Sequence, residues 1–192
     1  MAELTPQPGN TLLELEARNQ STAGRLFIAA DAFLFLAFVF AYLYLRALDN
    51  NGMWNPHGQN PSGAMGLVVL VLVIAAAALA QVGAGRLASS GPAAFRAPAV
   101  AALVVGLVAT VLTASQVFRP GFSPSHAGGL GSVFIGFTAV YLVHLLGALY
   151  WLETETVQPA DETLHATVPP CVLFWWFLAV VLAIFSVLFY VA

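Results

Sequence analysis

Five apolar stretches, each about as long as a bilayer is thick, dominate this sequence. They run over about 26–45, 65–85, 97–118, 129–152 and 170–191. At 1.5 Å rise per residue each covers roughly 30 Å as a helix. Backbone groups in hydrocarbon find no water, so each stretch must close its hydrogen bonds internally. The alternating pattern of a β-barrel strand is absent from the sequence. The expectation is an all-α integral membrane bundle of five transmembrane helices. Residues 1–24 form an N-terminal tail and 25–192 the five-helix domain.

Composition removes most other classes. Only 8% of the 192 residues are charged and 60% are hydrophobic, against roughly 25% charged in a soluble domain. All six basic residues are Arg and the net charge is -3, so no basic field exists to hold nucleic-acid phosphates. The single Cys171 excludes a disulfide scaffold. The apolar excess excludes intrinsic disorder.

The connections hold helix breakers. Asn50, Gly52, Pro56 and Pro61 fall in the first, Gly91 and Pro92 in the second, and Pro120, Gly121 and Pro124 in the third. The fourth ends in Pro169-Pro170, placed to start a helix. In the tail, Thr11 and Glu14 have capping-box spacing, which leaves a short surface helix and a disordered tail both open. The first span contains Asp31, exceeds the usual length of a signal-peptide core and lacks a following A-x-A site. It is expected to be retained. Arg18, Arg25, Arg86 and Arg96 fall on one side of a five-span topology, Arg46 and Arg119 on the other. That asymmetry predicts a cytoplasmic N-terminus and an outside C-terminus.

Of the Asp, Glu, Lys, Arg and His residues, two sit inside spans. Asp31 has only apolar helical neighbours, Phe27, Ile28, Leu34 and Phe35. An acid there costs about 2.5–3.5 kcal/mol on insertion scales, so it snorkels, faces a partner on another helix, or carries a proton. His144 is the span histidine of the fourth helix, with Tyr141 one turn before it and Thr138 extending the polar stripe. In the proposed topology the depths of Asp31 and His144 nearly match. We therefore expect Asp31 to meet the His144/Tyr141 face across the first and fourth helices. A histidine bonded to a neighbouring backbone carbonyl is the alternative.

His57, His126 and His165 fall in expected loops and Cys171 has no second cysteine near it, so no haem, copper or other metal site is expected in this chain. Glu153, Glu155, Asp161, Glu162 and His165 read as a solvated acidic loop. Ala76, Ala80 and Ala84, and Ser132 and Gly136, have the spacing of close helix contacts. Trp54, Trp151, Trp175 and Trp176 suit an interfacial belt. The fifth helix, polar only at Ser186, is either lipid-facing or packed on an apolar partner.

The order of these elements resembles subunit III of the haem–copper oxidases (the cytochrome c oxidase subunit III family). RLFIAADAFLF over 25–35, followed by AYLYLR over 41–46, resembles the family's opening "W/R-L-F-I-x-S-E-x-M-L-F … A-Y-x-x-x-R". GSVFIGFTAVYLVHLLG over 131–147 resembles "F-x-x-T-G-F-H-G-L-H-V-x-x-G". FWWFLAVVLAIF over 174–185 resembles "Y-W-H-F-V-D-V-V-W-L-F". The likeness runs from about Arg25 to the C-terminus and fits the short, five-helix bacterial form. Asp31 stands where the motif has glutamate, Tyr141 where it has the first histidine, and His144 matches the second. The motif's "H-F-V-D" becomes Trp176 to Ala179, without its polar groups.

The resemblance implies a non-catalytic accessory subunit of a proton-pumping cytochrome c or quinol oxidase in a bacterial inner membrane. Haem and copper would sit in partner subunits, beside catalytic subunit I, with phospholipid a candidate ligand. Asp31, His144 and Tyr141 would be proton-linked or structural contacts. The alternatives are an accessory protein of a nitric-oxide reductase or quinol oxidase, and a stand-alone proton-coupled transporter.

Overall fold

A computed structural model describes residues 8–49, 51–123, 126–159 and 163–190. The described residues contain no strand, and five helices are long and apolar enough to cross a membrane. They are α1 (Pro8–Ala47), α2 (Gly63–Ser90), α3 (Arg96–Phe118), α4 (Gly128–Val157) and α5 (Leu164–Tyr190). A short 3-10 turn, Pro92–Ala94, joins α2 to α3. The chain is a multi-pass membrane protein.

Successive helices alternate in direction. Gly24 of α1 lies against Pro170 of α5, and Tyr42 against the Leu188 carbonyl, so α1 and α5 run parallel. Gly66 near the start of α2 lies against Tyr190 at the end of α5. Arg96 at the start of α3 donates to the Gln158 carbonyl just after α4, at 3.0 Å. One end of the bundle therefore carries Trp54 and Tyr190, and the other carries Arg96 and Glu155.

Helix α5 is the hub. It packs on α1, α2 and α4, which resolves the sequence alternative in favour of packing. α2 and α3 approach closely because small residues face each other. Ala76, Ala77, Ala80, Ala99, Ala102 and Ala109 are all fully buried. Ala84 is half-buried against this core. Gly106 of α3 leaves room for the Trp175 indole; a Cβ there would stand 2.6 Å from the ring.

The structure departs from the sequence reading at several points. From Pro8 onward the tail is no separate element: α1 is one helix of 40 residues through residue 24, about 60 Å long. Thr11 lies inside it, so Thr11 and Glu14 mark no helix start. α5 begins six residues before Pro170, so both prolines lie inside the helix. The polar turn Leu164–Thr167 precedes the apolar run and hid the true start. Trp175, expected at the interface, is a core residue with no exposure, because Gly106 admits it.

The first loop closes the Trp54 end. Its Met53 and Trp54 carbonyls accept from Gly129 and Leu130 N–H at 3.2 and 2.9 Å, satisfying donors that a helix start leaves unpaired. Gly128 is required there. Its φ is +56°, and a Cβ would collide with the Met53 carbonyl oxygen. At the same end Tyr42 donates to the Leu188 carbonyl at 2.5 Å, and Arg46 donates to the Tyr42 hydroxyl at 3.0 Å. A cation beside the last turn of α5 also suits that helix's negative end.

Candidate functional site

Helix α1 buries one narrow stripe, Gly24, Asp31, Phe35 and Tyr42. Their spacings of seven, four and seven residues keep them on one face. Asp31 thereby turns toward α4, where His144 stands. His144 Nε2 lies 3.5 Å from Asp31 Oδ2, and the side chains are 13% and 12% exposed. His144 Nδ1 lies 2.8 Å from the Val140 carbonyl oxygen one turn earlier. The cross-helix pairing and the local carbonyl bond, posed as alternatives by the sequence, are both present.

The geometry fixes most of the proton positions. A carbonyl only accepts, so Nδ1 carries hydrogen. Nε2 then has either a lone pair or the second proton of an imidazolium. Asp31 Oδ2 is buried and forms no hydrogen bond among the described residues, since the 3.5 Å to His144 exceeds the ordinary bonding range. Nε2 and Oδ2 are the two atoms that face each other across the helices. Phe35 closes the site, its ring centroid 4.9 Å from the imidazole.

Tyr141 is not part of this pair. Its hydroxyl donates to the Leu178 carbonyl of α5 at 3.0 Å, and it is fully buried. It ties α4 to α5. The polar residue expected beside Asp31 points elsewhere because residues three apart on a helix diverge when two neighbours pack on that face. Thr138 likewise turns back to its own helix, bonding the Phe134 carbonyl at 2.7 Å.

The structure adds a residue that the sequence reading placed in solvent. Glu155 is in α4, not a loop, and is only 4% exposed. It accepts from Trp151 Nε1 at 3.2 Å and from the Thr167 hydroxyl of α5. The signal was Trp151 one turn before Glu155, a donor at i−4. Glu153 is exposed at the end of α4, and His165 is exposed in the first turn of α5. Asp161 and Glu162 lie outside the described residues.

Two grooves flank these acids. One, of about 510 Å³, has Gln20, Gly24 and Phe27 on one wall and Trp151, Glu155 and Thr167 on the other. The next, of about 260 Å³, reaches His144 along Gly147 and Phe174. They share Phe27 and Trp151. His144 and Glu155 are eleven residues apart, three turns and so nearly one face. The result is an apolar furrow from the Arg96 end to the Asp31–His144 pair. Among the described residues no three His, Cys, Asp or Glu side chains are grouped to hold a metal ion.

Comparison with protein-family models gives no match, and no curated protein matches the chain.

Proposed function

We propose that this chain is a non-catalytic accessory subunit of a haem–copper terminal oxidase, in the position of subunit III. It would stabilise catalytic subunit I and support proton uptake during oxygen reduction. The observation that carries the reading is the Asp31–His144 pair. The acid of the first motif and the second histidine of the α4 motif stand 3.5 Å apart across two helices. The order and spacing of the three motifs support it as well. So does the outward face of α1, where Phe33, Leu36, Phe40 and Tyr44 form an exposed apolar stripe suited to a larger neighbour or to lipid. Haem and copper belong to the partner subunits in this proposal. The furrow beside Phe27 and Trp151 suits a phospholipid acyl chain. The membrane is the bacterial inner membrane, with Glu155 at the cytoplasmic end.

The departure at Trp176 to Ala179 leaves α5 without a polar group for the pair. Proton supply in this reading therefore rests on α1 and α4 alone. Asp31→Ala tests it. Membranes in which the variant replaces the native chain are expected to start at a near-normal rate of oxygen reduction. They then lose activity sooner over many turnovers, and the loss steepens as pH rises and protons become scarce. Unchanged rate and durability at high pH would exclude proton supply by Asp31.

A further inference from the structure

We infer that a pocket among α2, α3, α4 and α5, in the half of the bundle that carries Tyr190, seats one bound water. Two buried polar atoms there have no partner among the described residues: Gln116 Nε2 of α3 and Ser186 Oγ of α5. Both line one cavity, together with Thr113, Thr138, Tyr141 and Tyr190. The cavity holds about 10 Å³, close to the least space in which a single water fits.

The hydrogen-bond inventory matches that ligand. Thr113, Thr138 and Tyr141 spend their hydroxyl protons on the Ala109, Phe134 and Leu178 carbonyls. Each keeps acceptor lone pairs. Gln116 and Ser186 bring hydrogens with nowhere to go. A water accepts from these two and donates to two of the remaining oxygens. Turning the Gln116 amide would present its oxygen instead, and water serves that equally. The rest of the wall is apolar, and a buried amide and hydroxyl rarely stay unmatched. The cavity shares no lining residue with the furrow that reaches His144. The water is thus a structural bridge between helices, separate from the Asp31–His144 pair.

Hydroxyl-radical footprinting of the intact protein in nanodiscs tests this, because X-rays turn a bound water into a radical that oxidises its neighbours. Phe134 and Phe137 line the cavity and are 2% and 3% exposed; Phe95 is fully buried elsewhere. Oxidation of Phe134 and Phe137 is expected several-fold faster than of Phe95. It should fall to the Phe95 level in Gln116→Leu/Ser186→Val. Equal rates in the native protein would overturn the inference, as would oxidation that persists in the double variant. Ser186→Ala gives a second reading should the double variant fail to fold. A lowered melting temperature fits a bridged hydroxyl, and a raised one means a dry cavity.

Discussion

Trp175→Ala is expected to cost about 3 kcal/mol of stability, the largest single effect in the bundle. The indole is fully buried and lies over Gly106, with Leu149 beside it. Large-to-small aromatic changes cost about 3–5 kcal/mol in soluble cores. The lower end applies here, because lipid solvates an exposed indole nearly as well as the bundle does. What remains is lost dispersion and a cavity that two rigid helices cannot close. Trp175→Phe separates packing from polarity. The Trp175 Nε1 hydrogen has no partner among the described residues, so Phe removes an unpaired donor while keeping most of the ring. Its loss should stay below about 1.5 kcal/mol. Thermal unfolding in detergent measures both. A Trp175→Phe loss equal to that of Trp175→Ala would mean that the N–H, and not the ring, holds this site.

The second large effect concerns Asp31 and His144. Breaking a buried ion pair from one side costs about 3–5 kcal/mol in soluble proteins. Both side chains here keep slightly over a tenth of their exposure, and polar contacts between transmembrane helices average about 0.6 kcal/mol with a maximum near 1.7. Asp31→Asn and His144→Leu should therefore each destabilise by about 1–2 kcal/mol. The double variant should lose less than the sum, with a coupling of about 1 kcal/mol. Additive losses would mean that the 3.5 Å approach carries no energy. The Val140 carbonyl bond makes the histidine the more damaging single change, since its loss removes the contact with Asp31 and an anchoring hydrogen bond together.

How much of this was readable from the residues alone follows a physical line. Spans were legible because a bilayer demands some twenty apolar residues without relief. Ends were not, because polar residues beyond the apolar run read as loop whether they face water or find partners in the bundle. His165 and Thr167 continue α5, and Glu155 continues α4 with Trp151 and Thr167 bonded to it. The Asp31–His144 pair was legible because each residue is costly in a span and their depths agree. Tyr141 was not, because its partner is a backbone carbonyl of α5, and any helix presents such carbonyls. Trp175 was misplaced for a related reason. Its burial depends on Gly106, which lies on another helix and has no side chain to announce it.

On the proposed function this chain lies beside an electron-carrying neighbour and carries no redox centre of its own. The most direct measurement is a visible absorption spectrum of the chain purified from native membranes in mild detergent. Haem bands are expected, contributed by co-purifying larger subunits, and they vanish when harsher detergent strips this chain to a colourless bundle. A colourless, stable homo-oligomer obtained even under the mildest conditions would contradict it, and so would haem that stays with the isolated chain.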